Sequence, residues 1–109
     1  MKILLCSMSN DQQKKYTKLS GSEIESAISS LEAWSMKDSK LHRSFKFKTF
    51  VGDFSFMTEV ALHAEKMDHH PTWTNTWNVV SFELSTHDAG DVVTDKDKKL
   101  AKAIDQLVG

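Results

Sequence analysis

The stretch Leu41-His42-Arg43-Ser44-Phe45-Lys46-Phe47-Lys48-Thr49-Phe50-Val51-Gly52-Asp53-Phe54-Ser55-Phe56-Met57-Thr58-Glu59-Val60-Ala61 changes its hydrophobic period part-way along, and that change decides the fold class. Up to Thr49 the period is two. Leu41, Arg43, Phe45, Phe47 and Thr49 share one side, while His42, Ser44, Lys46 and Lys48 share the other. Side chains alternate across a strand, so the pattern predicts a half-buried strand with one wet face. From Val51 to about Met67 the spacing becomes helical, with Phe54, Met57, Ala61 and Ala64 on one stripe broadened by Val60. Pro71 follows just past the last apolar position, where helices commonly stop.

Downstream, a second strand is predicted over about Thr76–Ser85, with Val80, Phe82 and Leu84 on one face and Trp77, Val79, Ser81 and Glu83 on the other. Thr94-Asp95-Lys96-Asp97 then opens a last helix as a Ser/Thr-x-x-acid cap. Leu100, Ile104 and Leu107 give that helix its apolar stripe, with Ala101 and Val108 beside it. Upstream, Ser22-Glu23-Ile24-Glu25 predicts a capping box, and Ile24, Ala27, Ile28 and Leu31 carry a helix to near Trp34. Trp34-Ser35-Met36-Lys37 fits a further short strand, with a turn at Asp38-Ser39. This order predicts an α+β domain, a small antiparallel sheet with helices packed on one face. Open sheet edges would invite pairing with another subunit.

The chain has 109 residues, which fits one domain and excludes two ordinary ones. We expect a loosely ordered start over residues 1–20 and a single domain over 21–109. Fourteen Lys and Arg against 15 Asp and Glu leave a formal charge of −1, so there is no overall pull toward nucleic acid or an anionic membrane. The apolar run at Met1–Met8 is shorter than a signal-peptide core, and no stretch approaches the roughly 20 apolar residues of a membrane span. One cysteine, Cys6, excludes an internal disulfide framework. These features predict a soluble, cytoplasmic protein. Five histidines in so short a chain are left unexplained by composition.

Three of them mark a candidate site. Glu65-Lys66-Met67-Asp68-His69-His70-Pro71 closes the second helix, and His87 follows Ser85-Thr86 at the end of a strand. Were the helix to persist, Glu65 and His69 would stack at i, i+4. Adjacent His69 and His70 would point apart. Histidine exchanges protons near neutrality, and a dehydration needs two such exchanges: one to protonate the departing hydroxyl, one to take the proton whose loss forms the double bond. The plainer readings are a surface residue for His42 and His63, and a helix C-terminus interacting with the dipole for the His69-His70 pair. Trp34, Trp73 and Trp77 read first as packing residues. Glu65, His69, His70 and His87 could also offer ligands to zinc or iron. No His-Glu-x-x-His is present and diverging adjacent histidines suit one ion poorly, so no metal is expected.

At these residues the chain resembles the pterin-4α-carbinolamine dehydratases, also known as dimerisation cofactors of a homeodomain transcription factor. The likeness is carried by Glu65-x-x-x-His69-His70-Pro71, Trp73, Trp77, Ser85-Thr86-His87 and an acidic residue before Leu100-Ala101. Phe45-x-Phe47-x-x-Phe50 and Phe54-x-Phe56-Met57-x-x-Val60-Ala61 extend it upstream, so that it spans about residues 20–108. The resemblance implies a four-stranded antiparallel sheet with three helices on one face, assembled as a homodimer or homotetramer. It implies a hydro-lyase that removes water from 4a-hydroxytetrahydropterin to give quinonoid dihydropterin, returning the pterin spent by aromatic amino acid hydroxylases, with no cofactor of its own. His69 and His87 would share the acid and base roles, with His70 chiefly holding the substrate. Glu65, Asp68, Ser85, Thr86 and Trp34 would bind the pterin or support the histidines. The stretch after His87 is one residue longer than is usual in the family. Anchoring on Leu100-Ala101 selects Asp97 as the acid that pairs with and orients His87, whereas counting from His87 lands on Lys96, beside Asp95. The alternative is a non-enzymatic dimerisation partner for a transcription factor, which would add a nuclear location. Direct nucleic-acid or membrane binding is not expected.

Overall fold

Two antiparallel hairpins lie side by side to make the sheet. The computed structural model describes residues 16–108. It has strands β1 (Ser35–Lys37), β2 (Lys40–Lys46), β3 (Thr72–Thr76) and β4 (Val79–Leu84) in the order β1-β2-β4-β3, every pair antiparallel. Helix α1 (Gly21–Ser30) precedes the sheet, α2 (Phe50–Met67) joins the hairpins, and α3 (Asp95–Val108) follows a single 3-10 turn at His87–Ala89. The expected α+β architecture of four strands and three helices is present.

Alternation puts Leu41, Phe45, Val80, Phe82 and Leu84 on one face of the sheet, and all five are buried. Phe56, Val60 and Ala64 from α2, Leu100, Ala101 and Ile104 from α3, and Leu31 and Trp34 after α1 close over them. Phe82 sits at the centre. The rings of Trp73, Phe45, Phe56 and Trp34 surround it at centroid distances of 5.5, 5.7, 6.1 and 6.3 Å. Among the described residues no helix covers the opposite face, which carries Ser44, Lys46 and Ser81.

The first turn reads as anticipated. Asp38 and Ser39 both take positive φ, 54° and 66°, as a two-residue type I′ hairpin requires. The second strand does not. The stretch predicted as one strand from Thr76 to Ser85 turns back at Trp77-Asn78, so that Thr76 ends β3 and Val79 begins β4. β3, Thr72-Trp73-Thr74-Asn75-Thr76, is an edge strand whose polar side chains hid it from a hydrophobic count. Asn78 stitches its turn to the end of β2: Nδ2 donates to Phe47 O at 2.6 Å, and Phe47 N–H donates to Asn78 O at 2.8 Å.

Two helical readings shift. The capping box of α1 is Ser20-x-x-Glu23, with Glu23 N–H on Ser20 Oγ (3.2 Å) and Ser20 N–H on Glu23 Oε1 (2.8 Å), and the helix stops at Ser30 rather than near Trp34. Both Ser20 and Ser22 satisfy the motif; the earlier one captures the chain. In α2 the buried stripe is Asp53, Phe56, Val60 and Ala64, while Phe54 of the predicted stripe is 55% exposed. Of the expected loose start, residues 1–15 and Cys6 lie outside the described residues. Residues 16–18 are tied to the segment before α3: Thr17 N–H donates to Asp95 Oδ1 at 2.5 Å, Asp95 N–H returns to Thr17 O at 3.0 Å, and Lys18 bridges Thr94. Among the described residues no helix is long and apolar enough to cross a membrane.

Candidate active site

The site forms where α2 stops. Asp68 caps that helix in the left-handed conformation (φ 57°), and the reversed chain sends its N–H and that of His69 back to Glu65 O (3.1 Å) and Ala64 O (3.0 Å). The reversal separates the adjacent histidines. His69 turns inward and is 9% exposed. His70 folds back over the last turn, where its Nε2 donates to Glu65 Oε1 at 2.9 Å. The i, i+4 stacking of Glu65 on His69 therefore gives way to a Glu65–His70 pair.

Asp97 is the polar centre. Its carboxylate is fully buried, and Oδ1 accepts from His69 Nε2 at 2.6 Å. Oδ2 accepts from Thr86 Oγ1 at 2.8 Å and from Thr94 N–H at 2.9 Å. The Thr94 hydroxyl meets that of Thr86 at 2.6 Å and accepts the Lys96 N–H at 3.2 Å, so the anticipated cap of α3 also feeds the site. A buried carboxylate must be compensated by donors, and here it has them on both oxygens. With Nε2 committed to Asp97, Nδ1 is the ring nitrogen of His69 that has no hydrogen-bond partner among the described residues. No buried side-chain nitrogen or oxygen among the described residues lacks a partner, so this unpaired nitrogen is one that solvent reaches.

Asp97 thus pairs with His69 and not with His87, which corrects the expected partnership. The reason is local: Thr86 points into the core from the end of β4, whereas His87 begins the 3-10 turn and its side chain is 90% exposed. His87 meets a different acid, with Nδ1 3.2 Å from Asp91 Oδ1. Asp95 does not support either histidine; it holds Thr17.

Asp68, His69, His70, Thr72, Ser85, Thr86, His87, Asp88 and Asp91 line one open cavity of about 360 Å³. This brings together the three histidines with Asp68, Ser85 and Thr86. Glu65 stands behind His70. Trp34 is not part of it. Its indole is 2% exposed, packs on Phe82 and donates Nε1–H to Asp105 Oδ1 at 2.8 Å, because the early end of α1 drops it into the core beneath the sheet. Thr72, Asp88 and Asp91 were not singled out in the sequence. Asp91 had a signal, its i, i+4 spacing from His87. Among the described residues no three His, Cys, Asp or Glu side chains are arranged to hold a metal ion.

The profile of the pterin 4 alpha carbinolamine dehydratase family matches residues 17–107. The chain belongs to that family. Membership makes it a dehydratase of the pterin carbinolamine class. A relative from Solibacter usitatus, provisionally named pterin-4-alpha-carbinolamine dehydratase, is 50% identical over 84% of this chain and 95% of its own. One from Rhizobium rhizogenes, similarly named, is 45% identical over 84% and 92%. A crystal structure from Brucella melitensis, described as a transcriptional coactivator/pterin dehydratase, superposes with a TM-score of 0.81 at 41% identity, over 85% of this chain and all of that one. A pterin dehydratase-like protein described as a RuBisCO assembly factor in the alpha-carboxysome shares the fold at 21% identity and a TM-score of 0.57, over 70% of this chain and 87% of that one.

Proposed function

We propose that this dehydratase removes water from a 4a-hydroxytetrahydropterin to give the quinonoid dihydropterin, using histidine acid/base chemistry. The observation that carries the reading is the convergence of His69, His70 and His87 on one cavity, with a buried carboxylate behind the first. A cavity of about 360 Å³ suits a bicyclic ring, within the usual ligand-pocket range of roughly 300–1,000 Å³. The balance is simple. One imidazolium gives a proton to the C4a hydroxyl, which leaves as water; another imidazole takes a proton from the pterin ring as the new double bond forms. No electrons are exchanged with a second reactant. His69 and His87 share these two roles, and His70, steadied by Glu65, holds the substrate with Asp68, Ser85 and Thr86. Asp97 accepts from His69 and fixes the orientation of its ring. The product re-enters the pool that supplies aromatic amino acid hydroxylases. The protein works in the cytoplasm, as a homodimer or homotetramer.

The test is to generate 4a-hydroxytetrahydropterin in situ and follow its loss against the spontaneous rate. His69→Ala and His87→Ala should each lower the enzymatic rate by roughly 10²–10⁴-fold, the range for a general acid or base. No acceleration by the unaltered protein would sink the reading.

One observation favours a second role. Phe50, Val51, Phe54 and Leu62 leave α2 with large apolar side chains at least half exposed, a surface suited to a helical partner. A transcription-factor dimerisation role, consistent with the coactivator description of the Brucella melitensis structure, would add the nucleus to its locations. Binding of an amphipathic partner helix that Phe54→Glu abolishes, with dehydration intact, would support it.

A further inference from the structure

We propose that Asp91 is the positioning residue for His87. It holds the ring by Nδ1, so that Nε2 is the nitrogen left to exchange a proton with substrate. The inference rests on the acid/base reading of His87.

The carboxylate expected to do this work is taken: both oxygens of Asp97 are occupied by His69, Thr86 and Thr94 in a buried network. Asp91 is one of three aspartates that line the cavity, with Asp68 and Asp88, and it lies 3.2 Å from His87 Nδ1. An ionised carboxylate only accepts, so the contact fixes the proton of the neutral ring on Nδ1. Each site histidine then has its own acid, with Asp97 on His69, Glu65 on His70 and Asp91 on His87.

The backbone points the same way. Gly90 and Asp91 take consecutive left-handed conformations, φ 93° and 60°. Glycine would occupy the second position with less strain, yet an aspartate stands there. Its carboxylate has no hydrogen-bond partner but His87 among the described residues. Stability does not account for the pair, since the two side chains are 90% and 59% exposed and exposed ion pairs contribute little. The loop nevertheless holds the two residues at a set distance. Ala89 N–H and Asp91 N–H both bond Thr86 O (3.1 and 3.0 Å), Thr86 N–H bonds Val92 O (2.8 Å), and Tyr16 donates its hydroxyl to Asp88 O (3.1 Å).

Four full-length variants test it: Asp91→Gly, Asp91→Asn, His87→Ala, and His87→Ala with Asp91→Gly. Asp91→Gly should lower kcat roughly 10- to 100-fold, the cost of losing a residue that orients a functional histidine, with KM changing less and the thermal midpoint not reduced. Asp91→Asn should recover part of the rate, since asparagine tolerates the left-handed backbone and its Oδ1 still accepts from Nδ1–H. The double variant should be no slower than His87→Ala alone. Nitrogen-15 spectra of the neutral His87 ring should show the proton on Nδ1 in the unaltered protein and on Nε2 in Asp91→Gly. Wild-type kcat and an unchanged ring tautomer in Asp91→Gly, with His87→Ala inactive, would overturn the proposal. Wild-type activity in His87→Ala would instead overturn the acid/base reading, and the tautomer shift would still test the Asp91–His87 link.

Discussion

Asp97 is read most simply as a donor-filled hole. Its two oxygens accept hydrogen bonds from His69, Thr86 and Thr94, all of them buried. Asp97→Ala strands those donors and removes the partner of a buried imidazole, so it should cost about 3–5 kcal/mol in urea unfolding as well as activity. Trp34 gives the opposite expectation. Trp34→Phe loses the indole N–H bond to Asp105, which Arg43 still reaches at 2.6 Å, and leaves a cavity where the larger ring packs on Phe82. Stability should fall by about 2–4 kcal/mol and KM for the pterin should not move; a large rise in KM would return Trp34 to the site. At this scale the histidines that share the cavity were legible and their pairings were not. Sequence spacing assigns His69 to Glu65 and the family resemblance assigns Asp97 to His87, and one left-handed residue, Asp68, together with the inward Thr86, redirects both.

Among the elements, the capping boxes allow a sharp comparison. Ser20→Ala removes a formed cap and should cost about 1 kcal/mol. Ser22→Ala, one turn of reading away, should stay within about 0.5 kcal/mol in the same thermal or urea titration. The strands and helices that alternate or repeat cleanly, β2, β4 and α3, could be read directly because burial on one face writes a single period. β3 could not, because an edge strand buries little: only Trp73 and Asn75 are partly covered, and its three threonines are exposed. α2 misled for the reverse reason. It is apolar on two sides, Phe56-Val60-Ala64 toward the sheet and Phe54-Met57-Ala61 toward a shallow groove against Trp73, and periodicity alone cannot say which stripe meets the core.

For the molecule as a whole, the outer side of α2 carries apolar surface that nothing among the described residues covers. With Phe50, Val51, Phe54 and Leu62 at least half exposed, the free chain should associate, and light scattering should give a mass above that of the 12.4 kDa chain. Phe54→Glu should shift the mass toward a single chain while the cavity at the other end of α2 keeps its histidines. The carboxylate buried behind that cavity has one more consequence. It clasps the end of α2 through His69, the end of β4 through Thr86 and the start of α3 through Thr94. Heritable variation would therefore be filtered twice at one address and once at the other. A library sorted only for folded, expressed protein would already be purged at Asp97, yet would carry His87 and Asp91 as freely as any solvent-facing loop. The solvent-facing half of the centre would come to light only when the same library is sorted for turnover.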